Sequence, residues 1–237
     1  MINIDTKMKY LFAAMVCVLS MAKAQPTLAQ NELEVEGDVA FVTNYSLRGL
    51  SRSGGGVAVQ GNLYIFSDNG FSAGVFASTL DRDFFGHEGE VEFYVDYGGT
   101  IGAYDYKLSA AFDTFHGSNN STGYANFKAS LARDFGRAYV NVGSSYSPSN
   151  REIGLGSSVY GYMDVDVPIS LSNVPNLSFG LHAGYEDYEG PLAKWDWRAG
   201  LYLGVLDYEL GLQYDGSDND AIIGSGERVM LSLKAYF

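Results

Sequence analysis

From residue 31 onward the chain alternates between apolar and polar positions, and no helical period of useful length appears. Twelve runs keep the two-residue period long enough to form strands: roughly 33–44, 56–66, 71–80, 88–97, 102–113, 123–133, 137–146, 157–167, 177–186, 194–205, 207–215 and 227–237. In the first, Leu33, Val35, Val39 and Phe41 alternate with Glu34, Glu36 and Asp38. In the fourth, Val91, Phe93, Val95 and Tyr97 alternate with Glu90, Glu92 and Asp96. The eighth sets Val159, Met163, Val165 and Val167 against Asp164 and Asp166, and the tenth sets Trp195, Trp197, Leu201 and Leu203 against Asp196, Arg198 and Tyr202. Successive side chains of a strand point to opposite faces, so each run has one apolar and one polar face.

A soluble sheet alternates in the same way. Three further features favour a membrane barrel. The runs are about 9–12 residues long, the length a tilted strand needs to cross a bilayer, whereas soluble strands average about 5–6. Aromatic residues gather at the ends of the apolar faces: Phe41, Tyr45, Tyr97, Phe112, Tyr185, Trp195, Tyr208, Tyr214 and Phe237. Such side chains suit the boundary between lipid and water. The connections alternate between long ones (45–55, 81–87, 114–122, 147–156, 187–193, 216–226) and short ones (67–70, 98–101, 135–137, and little more than Leu206), with 168–176 as an exception. The prolines fall at or beyond strand ends, where no ladder hydrogen bond is lost. The pattern predicts an all-β fold: an antiparallel transmembrane β-barrel of about 12 strands over 31–237, with short periplasmic turns and longer extracellular loops. Its last strand, ending on Phe237, pairs with the first to remove the open edges. A terminal aromatic on an alternating strand also resembles the assembly signal of bacterial outer-membrane proteins, although the third residue from the end, often aromatic there, is Ala235 here. The expected partners are outer-membrane lipid and lipopolysaccharide, the barrel assembly machinery, and small solutes or ions.

The first residues read as a targeting segment. Lys7 and Lys9 precede the apolar run Tyr10–Ala22, which is too short to span a membrane as a helix. Ala22 and Ala24 then form an A-x-A cleavage pattern, so 1–24 is read as a signal peptide, with a second cleavage position after Ala29 and Met8 as an alternative start. The only cysteine, Cys17, lies inside this segment, so no disulfide framework is expected. The formal charge is −13, and cleavage removes three lysines with one aspartate. So acidic a chain is not expected to bind nucleic acid.

If the apolar faces meet lipid, the alternating residues line the lumen. The pore-lining candidates are Glu34, Glu36, Asp38, Glu90, Glu92, Asp96, Asp164, Asp166, Arg198 and Glu209, with further carboxylates at Asp105, Asp113, Glu186, Asp196 and Asp215. Inward cations are fewer: Lys107, Lys128, Arg198, Arg228 and Lys234. Acidic rings concentrate cations and repel anions, which points to a channel for small solutes with cation preference. Alternatively, the charges pair across the lumen and plug it, leaving a closed barrel that acts as an anchor or binds through its long loops. Eight strands are filled by side chains and about 16 make a wide pore, and twelve lies between. Arg48, in the first long loop, either folds inward to constrict the pore or holds the loop through a charge-assisted hydrogen bond, the reading preferred here. The "DGSDND" segment (215–220) offers oxygen ligands but lacks the EF-hand glycine and closing glutamate, and is read as a solvated acidic loop. No G-x-S-x-G occurs, and His87, His116 and His182 have no metal-ligand spacing, so neither an enzyme nor a cofactor is expected.

One block carries more than a pattern. Asn44-Tyr45-Ser46-Leu47-Arg48-Gly49-Leu50-Ser51-Arg52-Ser53, then Ala58-Val59-Gln60-Gly61, then Gly70-Phe71-Ser72-Ala73-Gly74 resemble the N-terminal block of the TorF family of porin-like proteins, also named Gcw_chp. Members typically carry S-N-Y-x-x-R-G-x-S-Q-S, A-V-Q-G and G-F/L-Y-A-G. Here Arg52 replaces the usual Gln and Ser72 the usual Tyr. The resemblance implies an outer-membrane β-barrel and says little about its substrate.

Overall fold

The computed structural model describes residues 33–117, 122–148, 156–172 and 174–237. The signal segment and both cleavage positions lie outside the described residues. Twelve strands form a closed antiparallel barrel: β1 (Leu33–Val42), β4 (Ala58–Ser67), β5 (Phe71–Thr79), β6 (Gly89–Ile101), β7 (Tyr104–His116), β8 (Thr122–Asp134), β9 (Tyr139–Ser147), β10 (Ser158–Leu171), β11 (Val174–Tyr188), β12 (Ala193–Val205), β13 (Tyr208–Ser217) and β14 (Arg228–Tyr236). The short strands β2 (Ser46–Leu47) and β3 (Leu50–Ser51) make a separate hairpin within the first loop, and a single helical turn, α1 (Arg82–Phe85), sits in the second long loop.

Each strand pairs with its neighbour in sequence, and β14 closes on β1 from Val42↔Ser232 to Asp38↔Tyr236. Phe237 extends this seam, since its amide and carbonyl both bond to Gly37 at 2.9 Å. The strands run from 9 to 15 residues. A 13-residue strand is about 43 Å long and, tilted at ~45°, covers about 30 Å, which matches a bilayer core. The apolar residues that alternation placed together point outward: Val35, Phe41, Phe93, Val95, Val159, Met163, Trp195 and Leu201 are all exposed on the bare barrel. Hydrophobic residues outside and charged ones inside invert the usual soluble pattern.

Several boundaries differ from the sequence reading. The segment 98–101 is no connection, because β6 continues to Ile101, paired with β7 from Gly98↔Lys107 to Ile101↔Tyr104, and the turn falls at 102–103. The segment 168–176 is no long connection, because β10 continues to Leu171 and β11 begins at Val174, with two residues between them. Pro168 therefore lies within β10 rather than at its end. It sits beyond Asp166, the last residue paired with β9, where only the β11 edge is still laddered. With this change all five short turns lie at one end of the barrel, together with Leu33 and Phe237. His116 belongs to the end of β7 rather than to a loop.

Candidate functional site: a lumen crossed by its first loop

The first loop, residues 43–57 (here L1), folds into the barrel mouth. Its shape comes from the quoted block. The Asn44 side-chain oxygen accepts from Ser51 Oγ at 2.8 Å and Ser53 Oγ at 3.2 Å, and the Tyr45 amide donates to Ser53 Oγ at 2.9 Å. Ser46↔Ser51 and Leu47↔Leu50 pair, which leaves Arg48 and Gly49 as a two-residue turn. Both have positive φ, 50° and 72°, as a type I′ turn requires. A Cβ on Gly49 would lie 2.5 Å from the Gly216 carbonyl oxygen and 2.7 Å from Asp196 Cβ, so only glycine lets the turn reach the wall.

From this position residues 45–52 touch every strand that does not flank the loop. The Tyr45 ring packs on Phe76 of β5. Arg52 pairs with Glu90 of β6 at 2.6 Å, lies over the Phe115 ring of β7 at 5.6 Å and donates to Tyr124 Oη of β8 at 3.2 Å. Arg48 donates to Ser145 Oγ of β9 at 2.9 Å, stacks on Tyr160 of β10 at 4.3 Å and pairs with Glu186 of β11 at 2.7 Å. Its carbonyl accepts from Lys194 Nζ of β12 at 2.7 Å. The Gly49 carbonyl accepts from Ser217 Oγ of β13 and from Arg228 of β14, each at 3.1 Å. Burial is the largest single influence and by itself would lower the Arg48 pKa, but the charge and hydrogen bond of Glu186, with Tyr124 and Tyr160, together hold the guanidinium above its ordinary value.

The lumen is therefore polarised. In the long-loop half, Glu90, Asp113, Glu186, Asp196 and Asp215 are almost fully buried, and Lys194 is 0% exposed. In the short-turn half, Glu34, Glu36 and Asp166 are exposed, and Lys107 is 61% exposed. Glu92 lies between the halves, 3.7 Å from Lys128. Asp38 and Asp96 are covered locally, Asp38 by Asn62 at 3.0 Å and Asp96 by the Ser109 hydroxyl and Lys107. Glu209, half-buried, is cross-strand from Lys234 and accepts from Tyr236 Oη at 3.3 Å. A cavity of about 190 Å³ opens in the short-turn half between Asn141, Asp164, Asp166, His182, Arg198 and Tyr202.

The ten lining candidates thus fall on one inward face but not in one place. Glu90 belongs to the filled layer, Asp164, Asp166 and Arg198 to the cavity, and Glu34 and Glu36 to the open end. Arg48 combines both readings offered for it: it reaches into the lumen and makes a charge-assisted hydrogen bond there. Asp215 is not part of a solvated acidic loop. It lies on β13, 0% exposed, 3.4 Å from Arg198 and 3.6 Å from Arg228. Tyr45, assigned to the outer aromatic belt, is turned inward beneath L1 and is 7% exposed.

Three residues of the site were not singled out. Lys194 continues the inward phase of Asp196 and Arg198 by one step, so the period contained it. Arg52 lies in a loop without period, and its one signal is that it replaces the usual Gln. His182 shares the inward phase of Glu186 on its strand, but nothing in the spacing gives its partners. Its Nδ1 lies 2.6 Å from Asp164, and its Nε2 lies 2.9 Å from Asp196 and 2.7 Å from Tyr160 Oη. Nε2 thus stands between a carboxylate that can only accept from it when ionised and a hydroxyl that can donate to it or accept from it.

Several solved structures share this architecture. A structure described as the NanC porin matches with a TM-score of 0.53 at 11% identity, covering 86% of this chain and 99% of that one. OccAB1 of Acinetobacter baumannii matches at 0.52 and 12% identity, covering 89% and 66%. An outer membrane channel from Pseudomonas putida F1 matches at 0.50 and 9% identity, covering 90% and 99%. At such identities the likeness establishes the fold alone. No curated protein matches the sequence. A family model described as a bacterial protein of unknown function (Gcw_chp) matches residues 27–235, and a match of that extent places this twelve-stranded barrel in the Gcw_chp family.

Proposed function

We propose that the protein is an outer-membrane channel of the porin type, passing small solutes by passive diffusion with a preference for cations. The short-turn end of the barrel, where Leu33 and Phe237 also lie, faces the periplasm, and L1 forms the constriction on the outer side. One observation carries this reading: the inward face is charged along its whole length, with carboxylates in excess of cations, around an interior that opens toward the short-turn end. Acidic linings of this kind attract cations and repel anions. The structural neighbours described as a porin and an outer membrane channel support the same class. No catalytic chemistry enters the proposal.

The filled layer at L1 favours a second reading, a closed barrel that anchors or binds through its long loops. Conductance separates the two. Purified protein in a planar bilayer under a KCl gradient is expected to give discrete steps and a cation-selective reversal potential. Steps with anion selectivity would retain the channel and reject the acidic lining as its filter. Verified insertion without steps, in wild type and in a chain lacking residues 46–51, would establish the closed barrel.

A further inference from the structure

The two L1 arginines are bound by the wall as ligands are. Around Arg48 the wall supplies a carboxylate (Glu186, 2.7 Å), a hydroxyl (Ser145, 2.9 Å) and an aromatic face (Tyr160, 4.3 Å). Around Arg52 it supplies the same three: Glu90 at 2.6 Å, Tyr124 Oη at 3.2 Å and the Phe115 ring at 5.6 Å. Charge, hydrogen bond and π-face together suit a planar guanidinium better than a spherical ammonium. The two sets sit on different walls, β9–β11 and β6–β8, at the same filled level of the lumen.

The wall and the arginines differ in how they are held. The two wall carboxylates, Glu186 and Glu90, stand at positions laddered along both strand edges. The arginines stand on a loop, and Arg48 occupies a left-handed conformation that is unfavourable for a residue with a side chain. A segment that blocks a passage with the very group its wall recognises can be displaced by a solute carrying that group.

We propose that Glu186 and Glu90, with their neighbouring hydroxyls and rings, are binding sites for a guanidinium-bearing solute, and that Arg48 and Arg52 occupy them as internal stand-ins. This inference rests on the channel reading for its physiological use, since it names the class of solute. The site itself requires no current.

The test uses the full barrel in detergent, with folding checked by heat-modifiable mobility. Arg48→Ala vacates the first site and leaves Glu186 paired with Lys194, 3.2 Å away. Methylguanidinium at millimolar concentration is expected to raise the unfolding temperature of R48A. The shift should be roughly 5 °C or more at about a hundredfold excess over Kd, and wild type should not move. Methylammonium should shift R48A far less, and R48A/E186Q should show no shift. If R48A does not fold, Arg52→Ala, with R52A/E90Q as its control, asks the same of the second site. A folded R48A or R52A with no shift overturns the proposal, as does an equal shift in wild type or with methylammonium. A silent bilayer with a retained shift would reject the channel and leave the site.

Discussion

Gly49 determines whether L1 can reach the wall. Its positive φ and its contacts with Gly216 and Asp196 leave no room for a side chain. Gly49→Ala is expected to undock the turn while the barrel stays closed. Trypsin reads this directly, because it cleaves after Arg48 and Arg52, both inaccessible in the docked loop. Folded wild type should survive at these two bonds, and G49A should be cut there. Arg52 gives a second prediction. Glu90→Gln removes a carboxylate 2.6 Å from its guanidinium in a buried layer, and breaking a buried ion pair costs about 3–5 kcal/mol. Urea unfolding should show a loss of that order, with the tyrosine and phenylalanine rings unable to replace the charge. Arg48 could be picked out from the sequence because it stood beside a glycine in a recognisable block. Arg52 could not, because an arginine in a loop acquires its role from Glu90, Phe115 and Tyr124, which only the closed barrel brings to it.

The strands were the most legible part of the molecule, and the cause is geometric. A wall between lipid and lumen must sort every residue to one side or the other, so the two-residue period persists through runs of 9 to 15 residues. The misreading of 168–176 has an equally plain cause. Pro168 and Pro175 signal a break, yet Pro168 lies where β10 has already outrun β9 and has lost one of its two ladders. The sorting can be tested on adjacent residues of one strand. Leu212 and Gln213 are neighbours on β13, the first facing out and the second facing in. Leu212→Arg is expected to cost about 2–4 kcal/mol of stability in lipid, as a charge near the bilayer midplane does, and Gln213→Arg far less. Reversed values would mean that the faces are assigned the wrong way round. Trp195 and Trp197 share the outward face, with Trp195 55% exposed on the bare barrel, so lipids brominated on their acyl chains should quench the tryptophan fluorescence.

At the scale of the whole molecule the barrel has two unlike ends, and their orientation is open to direct measurement. Ile223 is 70% exposed in the last long loop, and Asn69 is exposed in the first short turn. Cys17 is the only cysteine of the chain, so in a Cys17→Ser background single cysteines at these positions report alone. Ile223→Cys should be labelled by an impermeant reagent on intact cells and Asn69→Cys only after the outer membrane is breached; the opposite result would invert the proposed orientation. The reach of L1 also bears on how the molecule is made. Residues 45–52 rest on all ten strands that do not flank the loop, including β13 and β14, which are synthesised last. No partial sheet offers that set of supports. The hairpin is therefore a keystone: it is near the front of the chain, yet it can be seated only after the ring around it is complete. Early in the chain and late in assembly, it leaves the interior of the growing sheet unobstructed until β14 meets β1, and then braces the finished ring across its width.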